Sequence, residues 1–169
     1  VYKLFSGTGT LPILGTVVDT WHIDSFSLAY NETDWPTLTI NAHKHTGGVG
    51  HADMRTYTPS IEAPTAAWGI PEAPFGVTVG TLTTVGLKSA EYSMSVTHLD
   101  ELAQGLQIGA QNRDGVETIS VSYVGNTTPA GPVGWDAVET GGPVQSNEAA
   151  ESGSAAWEHH VAADVVSPG

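Results

Sequence analysis

The sequence predicts a mainly β protein: an antiparallel β-sandwich with at most one short helix and long Pro/Gly-rich loops or arms. Three observations lead there. Only 14% of the 169 residues are charged and 40% are apolar, so much of the polar surface falls to Thr, Ser, Asn, Gln and Gly, the small polar complement of a strand-rich chain. Apolar side chains recur with period two along several segments and nowhere with helical period over helical length. Clusters of turn-forming residues separate those segments.

Residues 17–30 read V-V-D-T-W-H-I-D-S-F-S-L-A-Y, which places Phe26, Leu28 and Tyr30 on one strand face and Ser25, Ser27 and Ala29 on the other. After the turn-rich residues 31–36, alternation resumes over 37–45 with Leu38, Ile40 and Ala42 opposed to Thr37, Thr39, Asn41, His43 and His45. The pair reads as an antiparallel hairpin. Residues 58–76 carry Pro59, Pro64, Pro71 and Pro74 and read as an extended loop.

Tyr92, Met94, Val96 and His98 alternate against Glu91, Ser93, Ser95 and Thr97 in the next strand, and Leu106, Ile108 and Ala110 mark another. Residues 97–104 hold the one short helix candidate, with Thr97 as a cap and Glu101 near the start. Asn112-Arg113-Asp114-Gly115 reads as a type I turn followed by a left-handed bulge residue. A last strand over 116–124 turns Ile119, Val121 and Tyr123 inward. Residues 1–125 are expected to form the sandwich domain and residues 126–169, rich in Gly, Pro, Ser and Ala, an extended C-terminal arm or irregular segment.

Charge and composition exclude several functions. Five Lys and Arg stand against 18 Asp and Glu, a formal charge of −13, so direct gripping of nucleic-acid phosphates is not expected. The chain has no cysteine, which removes disulfides, thiolate metal sites and cysteine nucleophiles. The longest apolar stretch, 11–18, is broken by Pro12 and Gly15 and falls short of the roughly 20 residues of a membrane helix, so no membrane span is expected. No Gly-x-Ser-x-Gly elbow occurs, and Gly47-Gly48-Val49-Gly50 lacks the Lys and Ser/Thr of a phosphate loop. No catalytic residue and no cofactor are expected.

Seven histidines are present, and His43, His45 and His51 are the candidate metal ligands. On a strand His43 and His45 share a face, with His51 or Asp53 arriving from the glycine-rich turn. The competing reading is a His-x-His pair solvated on a polar strand face. Four aromatic residues in the loop and arm segments, Trp68, Phe75, Trp135 and Trp157, are candidate subunit contacts, because aromatic anchors suit docking onto a neighbour. They suit folding back onto their own domain equally well.

In size, Thr/Ser-rich alternating strands (residues 21–30, 37–45, 91–97 and 116–124), short helix candidate, Pro/Gly-rich arms, absence of Cys and acidity, the chain resembles the small β-sandwich structural proteins of tailed phages. Tail-tube proteins are the nearest in character, with kinship to head-decoration and head-tail connector proteins. The resemblance implies a sandwich whose strands join those of neighbours into a ring, usually hexameric, stacked through loops and arms, with residues 46–76 and the tail after Gly125 as inter-subunit contacts. It further implies a non-enzymatic structural subunit of a virion or extracellular assembly, with copies of itself and other virion or assembly proteins as partners. A wall of carboxylates would suit a conduit to which DNA must not adhere. The alternative from the residues is a β-sandwich carbohydrate- or surface-binding module in which Trp21, Trp35 or Trp68 stacks on sugar rings. A metal-dependent enzyme built on His43, His45 and His51 is the third.

Overall fold

A computed structural model describes residues 11–18, 20–44, 55–62, 68–79, 85–125, 127–141 and 152–164. Its strands are β1 (Val17–Val18), β2 (Trp21–Asn31), β3 (Thr37–His43), β4 (Val85–Ala103), β5 (Leu106–Gly125), β6 (Asp136–Gly141) and β7 (Ser152–Val161), with one 3-10 turn at Pro74–Gly76. The protein is mainly antiparallel β. All seven strands belong to one sheet in the order β1-β2-β4-β5-β7-β6, with β3 also paired to β2. Because β2 residues 25–29 pair with both β3 and β4, those two strands occupy opposite edges of β2.

Period-two alternation explains the core. Phe26, Leu28 and Tyr30 are buried on β2, Ala90, Tyr92 and Met94 on β4, Ile119, Val121 and Tyr123 on β5, and Ala155 and Trp157 on β7. Register aligns them in rows across four strands: Leu28, Tyr92, Ile119 and Trp157 form one, and Tyr30, Ala90, Val121 and Ala155 the next. The opposite face uses the hydroxyl-rich composition, since Ser89 and Ser122 hydroxyls meet at 2.6 Å, Ser93 and Thr118 hydroxyls at 2.6 Å, and Asn41 donates to Ser25 at 2.9 Å. Such cross-strand pairs stabilise a sheet by a few tenths of a kcal/mol each, on the order of 0.2–1 kcal/mol.

Irregular chain covers the apolar face. Leu14, Tyr57, Phe75 and Val77 join the same buried cluster, fastened by the bridges Leu14↔Tyr57 and Thr78↔Ala130. Phe75 lies 5.5 Å from Tyr30 and 5.6 Å from Tyr92, centroid to centroid. Gly131 has to be glycine, because a Cβ there would collide with the Trp157 indole.

Three expectations are corrected. Residues 97–104 are not helical, because β4 runs through Ala103 and pairs with β5 down to Ala103↔Leu106; ladder hydrogen bonds outweigh a lone capping threonine. The turn expected at 112–115 lies inside β5, where the register steps from Ser95↔Val116 to Thr97↔Arg113 and Asp114 takes a φ of 54°. That is a bulge, not a reversal. Reversal occurs at Gln104-Gly105, both at positive φ (52° and 79°), as a two-residue hairpin loop demands. Finally, residues 126–169 are not only an arm: β7 pairs with β5 from Gly115↔Val161 to Val124↔Ser152, and β6 pairs with β7.

One consequence of the register is a projecting hairpin. β2 pairs with β4 over Ser89–Ser95 and β7 with β5 over Gly115–Val124, so residues 97–103 and 106–113 pair only with each other among the described strands. His98 and Asn112 at its base touch His43 and Arg55, and at about 3.3 Å per residue the five residues from Leu99 to Ala103 carry its tip roughly 15 Å further. Leu99, Leu102, Leu106 and Ile108 are exposed on it, Leu102 and Leu106 at 65% and 72%. No helix among the described residues is long and apolar enough to cross a membrane.

Candidate functional site

Two polar clusters stand out. The first begins with a β-bulge between Ile23 and Ser25, which shifts the alternation of β2 by one so that odd-numbered Ile23 joins the core while even-numbered Asp24 lies beside His43. His22 is opposite His43 in register, and their rings stack at 5.3 Å. The His43 Nδ1 proton is donated to Asp24, whose two carboxylate oxygens both lie at 2.7 Å. His98 arrives from β4 just after that strand has left β2, and its ring lies 4.1 Å from that of His43.

His98 is fixed from two sides, by Asn112 Oδ1 at 3.0 Å from Nδ1 and by Asp100 Oδ1 at 3.1 Å from Nε2. Fully buried Asn112 donates in turn to the Arg55 carbonyl at 3.4 Å. One ligand atom each from Asp24, His43 and His98 lie within 4.8 Å of one another, all partly buried. Of the residues singled out in the sequence, His43 therefore belongs to a potential ligand set, while His45, His51 and Asp53 lie outside the described residues. Sequence spacing missed Asp24 and His98 because two separate strand pairings bring them to His43. A detectable signal was His98 itself, which shares the apolar parity of Tyr92, Met94 and Val96.

The second cluster surrounds Glu117, fully buried in the row Phe26, Met94, Glu117, His159. Four donors converge on its carboxylate: the Ser60 N–H at 2.6 Å, the Ser60 hydroxyl at 2.5 Å, the Tyr92 hydroxyl at 2.6 Å and His159 Nδ1 at 2.8 Å. Burial and the adjoining carboxylate push the Tyr92 phenol up, burial being the larger cause, so the phenol stays protonated and donates. Trp135 stacks on His159 at 5.3 Å. Both side chains line a cavity of about 500 Å³ with Ser60, Phe75 and Pro132. Four convergent donors saturate the carboxylate, which makes Glu117 a fastening between β4, β5, β7 and the loop over them.

The four aromatic candidates separate by burial. Phe75 and Trp157 are only 7% and 5% exposed and serve the core of their own chain, Trp135 is half-buried against that core, and Trp68 is 59% exposed. Trp68 meets exposed Trp35 edge to face at 5.8 Å. The two arginines, Arg55 and Arg113, line a second cavity of about 400 Å³ with Asp114 and His160. No family model matches the chain, and neither the curated proteins nor the solved structures compared with it gave a match.

Proposed function

We propose that the chain is a non-enzymatic structural subunit of a virion or extracellular assembly, self-associating into a ring, tube or shell as phage tail-tube, decoration or connector proteins do. The observation that carries this reading is the projecting hairpin. A two-stranded ribbon is marginal in water by itself, and this one ends in four exposed aliphatic side chains, a combination that favours completion by a neighbouring surface. Acidity supports the reading too, since a charge of −13 discourages adhesion to nucleic acid.

Light scattering after size-exclusion chromatography, with negative-stain imaging, tests it. Wild-type chain is expected to form particles many times the 17.6 kDa chain mass, and Leu102→Glu with Leu106→Glu to leave a folded monomer. A wild-type monomer at high concentration would sink the proposal.

The exposed Trp35 and Trp68 pair favours a second reading, a carbohydrate- or surface-binding module, because perpendicular indoles offer a face to a sugar ring. Glycan-array binding by a monomer, abolished in Trp68→Ala, would select it. Assembly without glycan binding would reject it.

A further inference from the structure

We infer that Asp24, His43 and His98 bind one divalent transition-metal ion of the zinc class, which ties the base of the projecting hairpin to the sheet. Two imidazoles and one carboxylate are a zinc-type donor set with a coordination position left over. Calcium and magnesium prefer all-oxygen sites. Ligands around a tetrahedral zinc stand roughly 3.4 Å apart, from metal–ligand bonds of about 2.1 Å, and the three donors already lie within 4.8 Å of one another. Small side-chain rotations close that difference.

The surroundings are arranged for such an ion. His22 backs the His43 ring by stacking, and Asn112, buried and held by the Arg55 carbonyl, fixes the plane of His98. Metal binding exchanges one polar contact of His98 for a coordinate bond, while the remaining contact orients the ring, as outer-shell partners do. Position gives the ion its role. The three residues come from β2, β3 and β4, and β4 makes no strand pairing to β2 beyond Ser95. An ion at His98 therefore supplies a link that the hydrogen-bond ladder does not.

Full-length chain stripped with a chelator and titrated with zinc by calorimetry is expected to bind one equivalent, and cobalt to give the visible absorption of a four- or five-coordinate site. His98→Ala and Asp24→Asn are expected to weaken binding at least about tenfold, with His98→Gln used if the alanine variant fails to fold by circular dichroism. Exposed His160→Ala serves as the control and is expected to bind like wild type. Zinc should slow amide exchange across residues 97–113 in wild type and not in His98→Gln. Absence of stoichiometric binding overturns the site, as does binding lost in His45→Ala or His51→Ala yet intact in His98→Gln and Asp24→Asn. Exchange unaffected by zinc overturns the bracing role.

Discussion

Glu117 shows how much a single side chain can organise. Its carboxylate accepts from Ser60, Tyr92 and His159, so Glu117→Ala orphans several buried donors and is expected to cost about 3–5 kcal/mol, as breaking buried charged pairs does. Glu117→Gln keeps the volume and an acceptor and should cost clearly less; denaturant melts of both variants check this. Two buried tyrosines give a second expectation. Burial pushes the Tyr30 pKa from 10.0 up to about 12 and raises that of Tyr92 as well. Above pH 10 the unfolded chain releases phenolic protons that the folded chain keeps, so stability complete below that pH is lost as pH rises toward 12. Urea midpoints at about pH 9 and about pH 11 should differ accordingly. Among the described residues the Tyr30 hydroxyl has no hydrogen-bond partner, so Tyr30→Phe is expected to reduce the alkaline loss at little cost near neutrality.

At the scale of elements, the strands were legible and their ends were not. Phe26, Leu28 and Tyr30, and Ile119, Val121 and Tyr123, lie on the buried face that alternation assigns them. The hairpin turn was misplaced because Asn112-Arg113-Asp114-Gly115 has turn composition, yet Asn112 spends its side chain on His98 and Arg55 and Gly115 is buried against Tyr57. Tertiary contacts claimed residues that local propensity offered to a turn. Glu117 was readable from parity, since it falls in phase with Ile119 and Val121, but a carboxylate on an apolar face needs four partners that no local pattern reveals. Gln104 pays a steric cost at φ 52° that Asn tolerates better. Gln104→Asn is therefore expected to stabilise the chain by under about 1 kcal/mol, measurable as a raised denaturant midpoint with unchanged slope.

For the whole molecule, charge is the governing property. A chain at −13 repels its copies, and that repulsion is screened over about 30 Å at 0.01 M salt but about 8 Å at 0.15 M. The proposed assembly is expected to begin at lower protein concentration as salt is raised across that range. Light scattering against salt concentration measures this, and a flat response would mean that the contacts avoid the acidic surface. The domain boundary expected at residue 125 was not a boundary in the sheet, because β7 completes the central rows through Ala155 and Trp157. Only long-range pairing, which composition does not encode, shows that the Gly- and Pro-rich region returns to the sheet.

The two-residue reversal at Gln104-Gly105 also sets an order of events in time. β4 and β5 are both the centre of the sheet and its most local pairing, and a hairpin with so short a loop closes within roughly 1–10 μs. β2 is separated from β4 by β3 and the further chain from residue 44 to residue 84, and pairings of that separation form slowly. Ile119→Ala is therefore expected to slow refolding, whereas Leu28→Ala should chiefly speed unfolding, a difference that stopped-flow chevrons resolve. The element with the bare aliphatic tip is then the first to exist. During synthesis it remains, until the later strands have paired, the surface most prone to mispairing, so slowing the addition of β2 is expected to lower the yield of folded chain.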